Sequence, residues 1–165
     1  MKSYLNFLRE MGCEEWVINH SHEVTLRALE LSNDLKENYD IDFELVKKGA
    51  LLHDIGRSKT NGIRHAIIGA EILKEQDYPL EIRNIVERHI GAGIPKNEAI
   101  DMGLPPKDYI PITLEEKIVA HADNLLNGSD RVNLDFVINK WSKRMGYNHP
   151  AIIRLKELDK FIVRK

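Results

Sequence analysis

Apolar residues recur with helical spacing along almost the whole chain, and the strict alternation of a half-buried strand is nearly absent. From about Glu14 to Asn38 the pattern predicts one long amphipathic helix with Val17, Val24, Ala28, Leu31 and Leu35 on a single face. Asp42 suits the N-cap of a second helix, with Ile41 and Val46 placed as a hydrophobic staple. That helix is expected to run to Asp54 or Ile55, where Gly56 can end it, and Asn61-Gly62 marks a turn. A third helix spans roughly Arg64 to Gln76, and a fourth begins near Pro79 and ends before Gly91. A short helix is expected from Ile94 to Met102, with Pro95 early and Gly103 late, the asymmetry that helices favour. Leu104-Pro105-Pro106 to Pro111 reads as loop, a wall or lid over a pocket. Thr113 and Glu116 form a capping box opening a helix to about Leu126. Two more helices follow near Leu134–Met145 and Pro150–Ile162, and the whole reads as an all-α bundle of about seven to eight helices.

A helix turns by roughly 100° per residue, so each histidine can be set against the apolar face of its own helix. Relative to Val17, His20 lies roughly 60° away on the edge of the stripe, whereas His22 lies roughly 140° away, toward solvent. His53 falls with Val46 and Ala50, His65 with Ile68, Gly69 and Ile72, and His89 with Ile82, Ile85 and Val86. Asp54 follows His53 directly, closing the apolar run Ala50-Leu51-Leu52. One histidine on an apolar face is more often a satisfied core residue than a ligand. Four of them with Asp54 point instead to a shared site, because a buried imidazole and carboxylate cluster is costly unless a cation compensates it. Imidazole and carboxylate ligands suit iron, manganese, zinc or similar ions. The helix after Thr113 leaves a choice open. Its apolar face is broad, and His121 and Asp123 lie on opposite flanks of it.

Composition narrows the partners more than the chemistry. The 165 residues are 42% hydrophobic and 30% charged with a formal net charge of -2, an ordinary soluble balance that advertises no nucleic-acid or anionic-membrane binding. Cys13 is the only cysteine, which excludes a disulfide framework and a Cys-rich zinc site. The N-terminus lacks the apolar core of a signal peptide and no run approaches a membrane span, so the expected location is the cytoplasm. Trp16, Phe136 and Trp141 are read as core, and His22, His121 and His149 as surface or capping residues. Ser21 has no base-and-orienter arrangement beside it, and nothing marks Cys13 as activated.

The order His20-Ser21-x-x-Val24, then His53-Asp54-Ile55-Gly56, then Ala122-Asp123-Asn124-Leu125 resembles the HD-domain superfamily of metal-dependent phosphohydrolases, in its HDIG subgroup. The resemblance covers about Trp16 to Asn127 of a single domain spanning 1–165, the helices at 134–162 completing the bundle. It selects His20 over His22 and Asp123 over His121. It implies that His20, His53, Asp54 and Asp123 bind a first metal, and that His65 and His89 add a second with Asp54 between the two. The cofactor so implied is a divalent transition metal, two ions of iron or manganese, with zinc, nickel, cobalt or magnesium also admissible. The tandem His-His of many such proteins is His89-Ile90 here, and Gly91-Ala92-Gly93-Ile94-Pro95 stands where cyclic dinucleotide phosphodiesterases carry Gly-Tyr-Pro, which argues against a cyclic-di-GMP substrate.

The function implied is hydrolysis of a phosphate ester of a nucleotide or another small phosphorylated metabolite, as a phosphomonoesterase or phosphodiesterase, with no nucleic acid or membrane as partner. Asp54 is the catalytic carboxylate on this reading, orienting the attacking water. Arg57, Lys59, Arg64 and Arg88 are the candidate phosphate-binding cations. Two other readings share the ligand set: a di-iron oxygenase of the same superfamily, and a metal- or nucleotide-binding regulatory module without turnover.

Overall fold

The computed structural model describes residues 1–163; residues 164 and 165, the end of the span expected to form the domain, lie outside them. The chain runs through α1 (Lys2–Glu10), α2 (Glu15–Leu35), α3 (Phe43–Leu52), a 3-10 turn (Ile55–Ser58), α4 (His65–Glu75), α5 (Leu80–Arg88) and α6 (Lys96–Asp101). It continues through α7 (Leu114–Asn124), a hairpin of β1 (Leu126–Asn127) and β2 (Asp130–Arg131), α8 (Leu134–Met145) and α9 (Pro150–Ile162). The fold is all-α. Among the described residues no helix is long and apolar enough to cross a membrane.

Four helix starts carry a side-chain cap. Asp42 accepts the Leu45 N–H at 2.9 Å, Thr113 accepts that of Glu116 at 3.2 Å, and Asn133 that of Phe136 at 2.9 Å. His149 caps α9 through the Ala151 N–H. The capping box at Thr113 closes on one side only. Glu116 is buried and accepts the Ile112 N–H at 2.7 Å and both bonds from Arg88 instead.

Helices α2, α3, α5 and α7 pack on one another around the middle of the molecule. Val24, Ala28, Leu31 and Leu35 of α2 meet Val46 and Ala50 of α3 and Ile118, Val119 and Ala122 of α7. Leu155, Leu158 and Ile162 of α9 and Val137 of α8 join the same cluster, so the C-terminal helices share its core. The N-terminal α1, too short to stand out in the pattern, is held by tertiary packing on α2 and α3. Its Leu8 is fully buried, and burial of a leucine contributes about 1.5–3 kcal/mol relative to exposure.

Helix α3 stops at Leu52, two residues before the expected end, and the chain turns through His53 and Asp54 into the 3-10 turn. Gly56 does not end the helix; it lets the turn lie directly on α4. A Cβ there would overlap the His65 carbonyl oxygen and sit 2.6 Å from the Gly69 nitrogen. The segment expected as a free wall is pinned by backbone bonds between Ile94 and Tyr109, and Leu104 and Tyr109 pack with Ile67 and Ala99. Two aromatic assignments fail. Trp16 is 46% exposed and Phe136 44% exposed, because Trp16 lies under Arg57 in the first turn of α2 and Phe136 faces a surface cavity. Trp141 is half-buried against the core.

Candidate metal centre

Five helix ends converge on one small volume. His20 reaches it from α2, His53 and Asp54 from the turn after α3, His65 from the start of α4, His89 from the C-cap of α5, and Asp123 from the last turn of α7. His53, Asp54 and His89 are at most 2% exposed. All six residues selected by the resemblance are therefore brought together.

Each imidazole is fixed from behind. The Nδ1–H of His53 donates to Ala50 O at 2.7 Å, that of His65 to Gly62 O at 2.8 Å, and that of His89 to Val86 O at 2.7 Å. The acceptors for His53 and His89 are carbonyls of the last helical turn, which lack intrahelical partners. His20 donates to Gly128 O at 2.6 Å, in the turn of the hairpin, which Arg131 ties to Glu30 of α2. A carbonyl can only accept, so each Nδ1 carries a proton and each Nε2 is turned inward.

His20 Nε2 bonds to Asp123 Oδ1 at 2.9 Å, but the other inward atoms are not all satisfied. His53 Nε2 and Asp54 Oδ1 are buried without a hydrogen-bond partner among the described residues. Asp54 Oδ1 lies 3.0 Å from His65 Nε2 and 3.6 Å from His89 Nε2, while the two Nε2 atoms face each other at 3.1 Å. With both Nδ1 atoms donating, a hydrogen bond between those rings requires a second proton on one of them. Asp54 Oδ2 faces the other way, 3.7 Å from His53 Nε2 and 3.8 Å from His20 Nε2. Lone pairs directed at one point in a buried site are costly without a cation. The donor set of imidazole nitrogen and carboxylate oxygen fits a divalent metal ion. The ligand atoms of His20, His53 and Asp123 lie within 4.8 Å of one another, and so do those of His53, Asp54 and His89.

The ionisation of these groups follows from the same contacts. Burial alone raises the Asp54 carboxyl, but the imidazoles of His53, His65 and His89 outweigh it and hold it well below the usual carboxylate range. Burial likewise works against ionised Asp123, yet the bond from His20 at 2.9 Å and the neighbouring imidazoles bring it to about 2. Burial pushes His53 down to about 4. Burial also disfavours the His20 cation, but Asp123 wins and raises it to about 9.

The cations divide. Arg57 Nε donates to Asp54 Oδ2 at 2.7 Å and its guanidinium lies 5.6 Å from the Trp16 ring centre. Arg88 is held by Glu116 through two bonds of 3.0 Å, and Lys59 and Arg64 are exposed on the turn between Asp54 and α4. His121 corrects an expectation: it is neither surface nor cap but fully buried, its Nε2 3.2 Å from Asp159 Oδ1 of α9. Burial of Cys13 pushes its thiol up to about 11, in keeping with an unactivated residue. The hairpin went unread, although Gly128-Ser129 between paired residues is a turn signal; the carbonyl it presents to His20 leaves no side-chain trace.

Residues 17–128 match the family described as HD domain. The chain is 56% identical over 152 residues to an uncharacterized protein of Methanocaldococcus jannaschii, covering 92% of this chain and 89% of that protein. It is 44% identical over 158 residues to a tRNA (cytidine(56)-2'-O)-methyltransferase of Thermoplasma volcanium, covering 96% of this chain but only 45% of the methyltransferase. In fold it is similar to the HD domain of the L. monocytogenes phosphodiesterase PgpH in complex with cyclic-di-AMP, with a TM-score of 0.58, 18% identity, and coverage of 98% of this chain and 97% of that one.

Proposed function

The chain belongs to the HD-domain family, and from that premise we propose that it hydrolyses a phosphate ester of a nucleotide or another small phosphorylated metabolite. We read residues 1–165 as one such domain, with α8 and α9 completing the bundle. The observation that carries the reading is the set of four back-bonded imidazoles with two carboxylates, whose unpaired acceptors ask for divalent cations. The two oxygens of Asp54 face different partners, which supports two ions: one held by His20, His53, Asp54 and Asp123, the other by His65, His89 and Asp54.

A divalent ion bound there supplies water of lowered pKa and offsets phosphate charge. The chain does the rest. Asp54 stays ionised and orients the water. Arg57, bonded to Asp54 Oδ2, keeps that carboxylate aimed and places positive charge beside the phosphate. Lys59 and Arg64 lie on the adjoining turn, while a phosphate role for Arg88 would cost its pair with Glu116. The water oxygen bonds to phosphorus, the ester P–O bond breaks, and the leaving alcohol oxygen takes a proton. The net charge of -2 supports a small substrate rather than a nucleic acid.

Metal analysis of wild type and His89→Ala, followed by phosphate release with manganese or magnesium, tests the reading. Two ions per chain falling toward one in the variant, with ester hydrolysis, are expected. One ion in both removes His89 from the ligands. Metal-loaded protein that hydrolyses neither phosphomonoesters nor phosphodiesters overturns the hydrolase, and oxygen consumption by an iron-loaded sample replaces it with an oxygenase.

A further inference from the structure

A cavity of about 200 Å³ opens against Asp123, walled by Gly91, Asn124, Phe136, Lys140 and Trp141. It adjoins the accessible side of the metal centre. The Asp123 side chain is 22% exposed, against 11% for His20, 6% for His65, 2% for Asp54 and His89, and none for His53. Asp123 is the cluster residue that this cavity shares.

The walls are tied to the cluster through the backbone. Asn124 follows Asp123, and its Nδ2 donates at 2.9 Å to the carbonyl of Gly91, two residues after His89. Gly91 has φ +60°, and a Cβ there would lie 3.1 Å from Trp141 Cη2, so the glycine lets the indole lie against the loop behind His89. Among the described residues neither Trp141 nor Phe136 stacks on another aromatic ring. Lys140 Nζ sits 2.8 Å from Asn127 Oδ1, a neutral partner, and pairs with no carboxylate among the described residues. Its charge is therefore free to meet an anion.

Two aromatic side chains, an ammonium without a carboxylate partner among the described residues, and a carboxylate of the cluster line one cavity. We propose that this cavity is the base pocket of the site and that the substrate is a nucleoside monophosphate. Its base lies against Phe136 and Trp141, and Lys140 holds its phosphate toward the cluster. The inference rests on the hydrolase reading above. At about 200 Å³ the cavity falls short of the roughly 300 Å³ of pockets that enclose larger ligands, so it takes one base rather than a dinucleotide. Helix α8 lies beyond the family match at 17–128, which makes the pocket a feature of this chain's C-terminal part.

Two measurements test it, both on full-length protein with magnesium. The first is phosphate release from nucleoside 5'-monophosphates and from ribose 5-phosphate. The second is quenching of Trp141 fluorescence by the same nucleotides in a Trp16→Phe background, which needs no turnover. Phe136→Ala is expected to raise KM for the nucleotides about tenfold, leaving kcat and the base-free ester unchanged. Lys140→Gln is expected to weaken both esters. Nucleotides should quench saturably, about tenfold more weakly in Phe136→Ala, and ribose 5-phosphate should not quench. Both variants sit at exposed positions, so folding is not the issue. Equal effects of Phe136→Ala on base-bearing and base-free esters, or no quenching, overturn the pocket and leave the hydrolase standing. Saturable quenching without phosphate release overturns the monophosphate as substrate.

Discussion

Helix α7 carries two buried histidine–carboxylate environments, and they differ in how many ligand atoms converge. On one flank His121 meets Asp159 of α9, one donor nitrogen against one carboxylate oxygen. On the other, Asp123 lies in a cluster with four imidazoles and Asp54, where His53 Nε2 and Asp54 Oδ1 find no partner among the described residues. The first arrangement is a single pair, and His121 Nδ1 is buried without a hydrogen-bond partner among the described residues. The second gathers four imidazoles and two carboxylates, a donor set that fits a divalent cation. Residue type does not separate the two; the number of imidazole and carboxylate atoms brought within reach of one ion does.

The largest test removes the shared carboxylate of the cluster. Asp54→Asn is expected to lower ester hydrolysis more than about 100-fold, beyond the 10–100-fold typical of residues that only support a metal ligand. A steady-state assay at saturating manganese measures it, and a loss under tenfold would place Asp54 outside the centre.

Metal itself sharpens the contrast next. At about 100 times its Kd an ion that binds only folded protein adds about 2.7 kcal/mol, or roughly 5–10 °C in Tm for a chain of this size. Thermal melts with manganese against chelator should show this rise in wild type and in His121→Ala, but not in Asp54→Asn. A similar rise in Asp54→Asn would mean that the ion binds elsewhere.

His121→Ala probes the other flank. Removing a buried donor from Asp159 is expected to cost about 2 kcal/mol of stability, read by urea denaturation, with metal content unchanged. Loss of metal together with stability would show that the two flanks are one unit.

The smallest effects are in pH. Burial holds His121 below its ordinary 6.5, so its contribution to stability is whole above pH 6.5 and fades as pH falls below it. In metal-free protein His20 behaves oppositely. Burial opposes its charge, but Asp123 raises it to about 9, so its contribution is whole below pH 6.5 and is lost as pH rises through 9. Metal uptake near pH 7 must displace that proton, and close to one proton per chain from His20 is expected in a pH-indicator titration. Uptake with no proton release would remove His20 from the ligands.

Much of the fold was legible in sequence because apolar spacing and capping are local. The starts at Asp42 and Thr113, and α8 and α9 to the residue, follow from them. Helical phase also set His53, His65 and His89 inward, since a single helix decides which of its faces is apolar. What periodicity left open was the choice between His121 and Asp123, which depends on what packs on each flank; Asp159, the partner of His121, comes from 38 residues further along the chain. Arg88 reads as a free cation until Glu116, 28 residues away, takes it. The tautomers of the four imidazoles were likewise decided only by tertiary structure, because their partners are backbone carbonyls, which every residue carries and no sequence pattern marks.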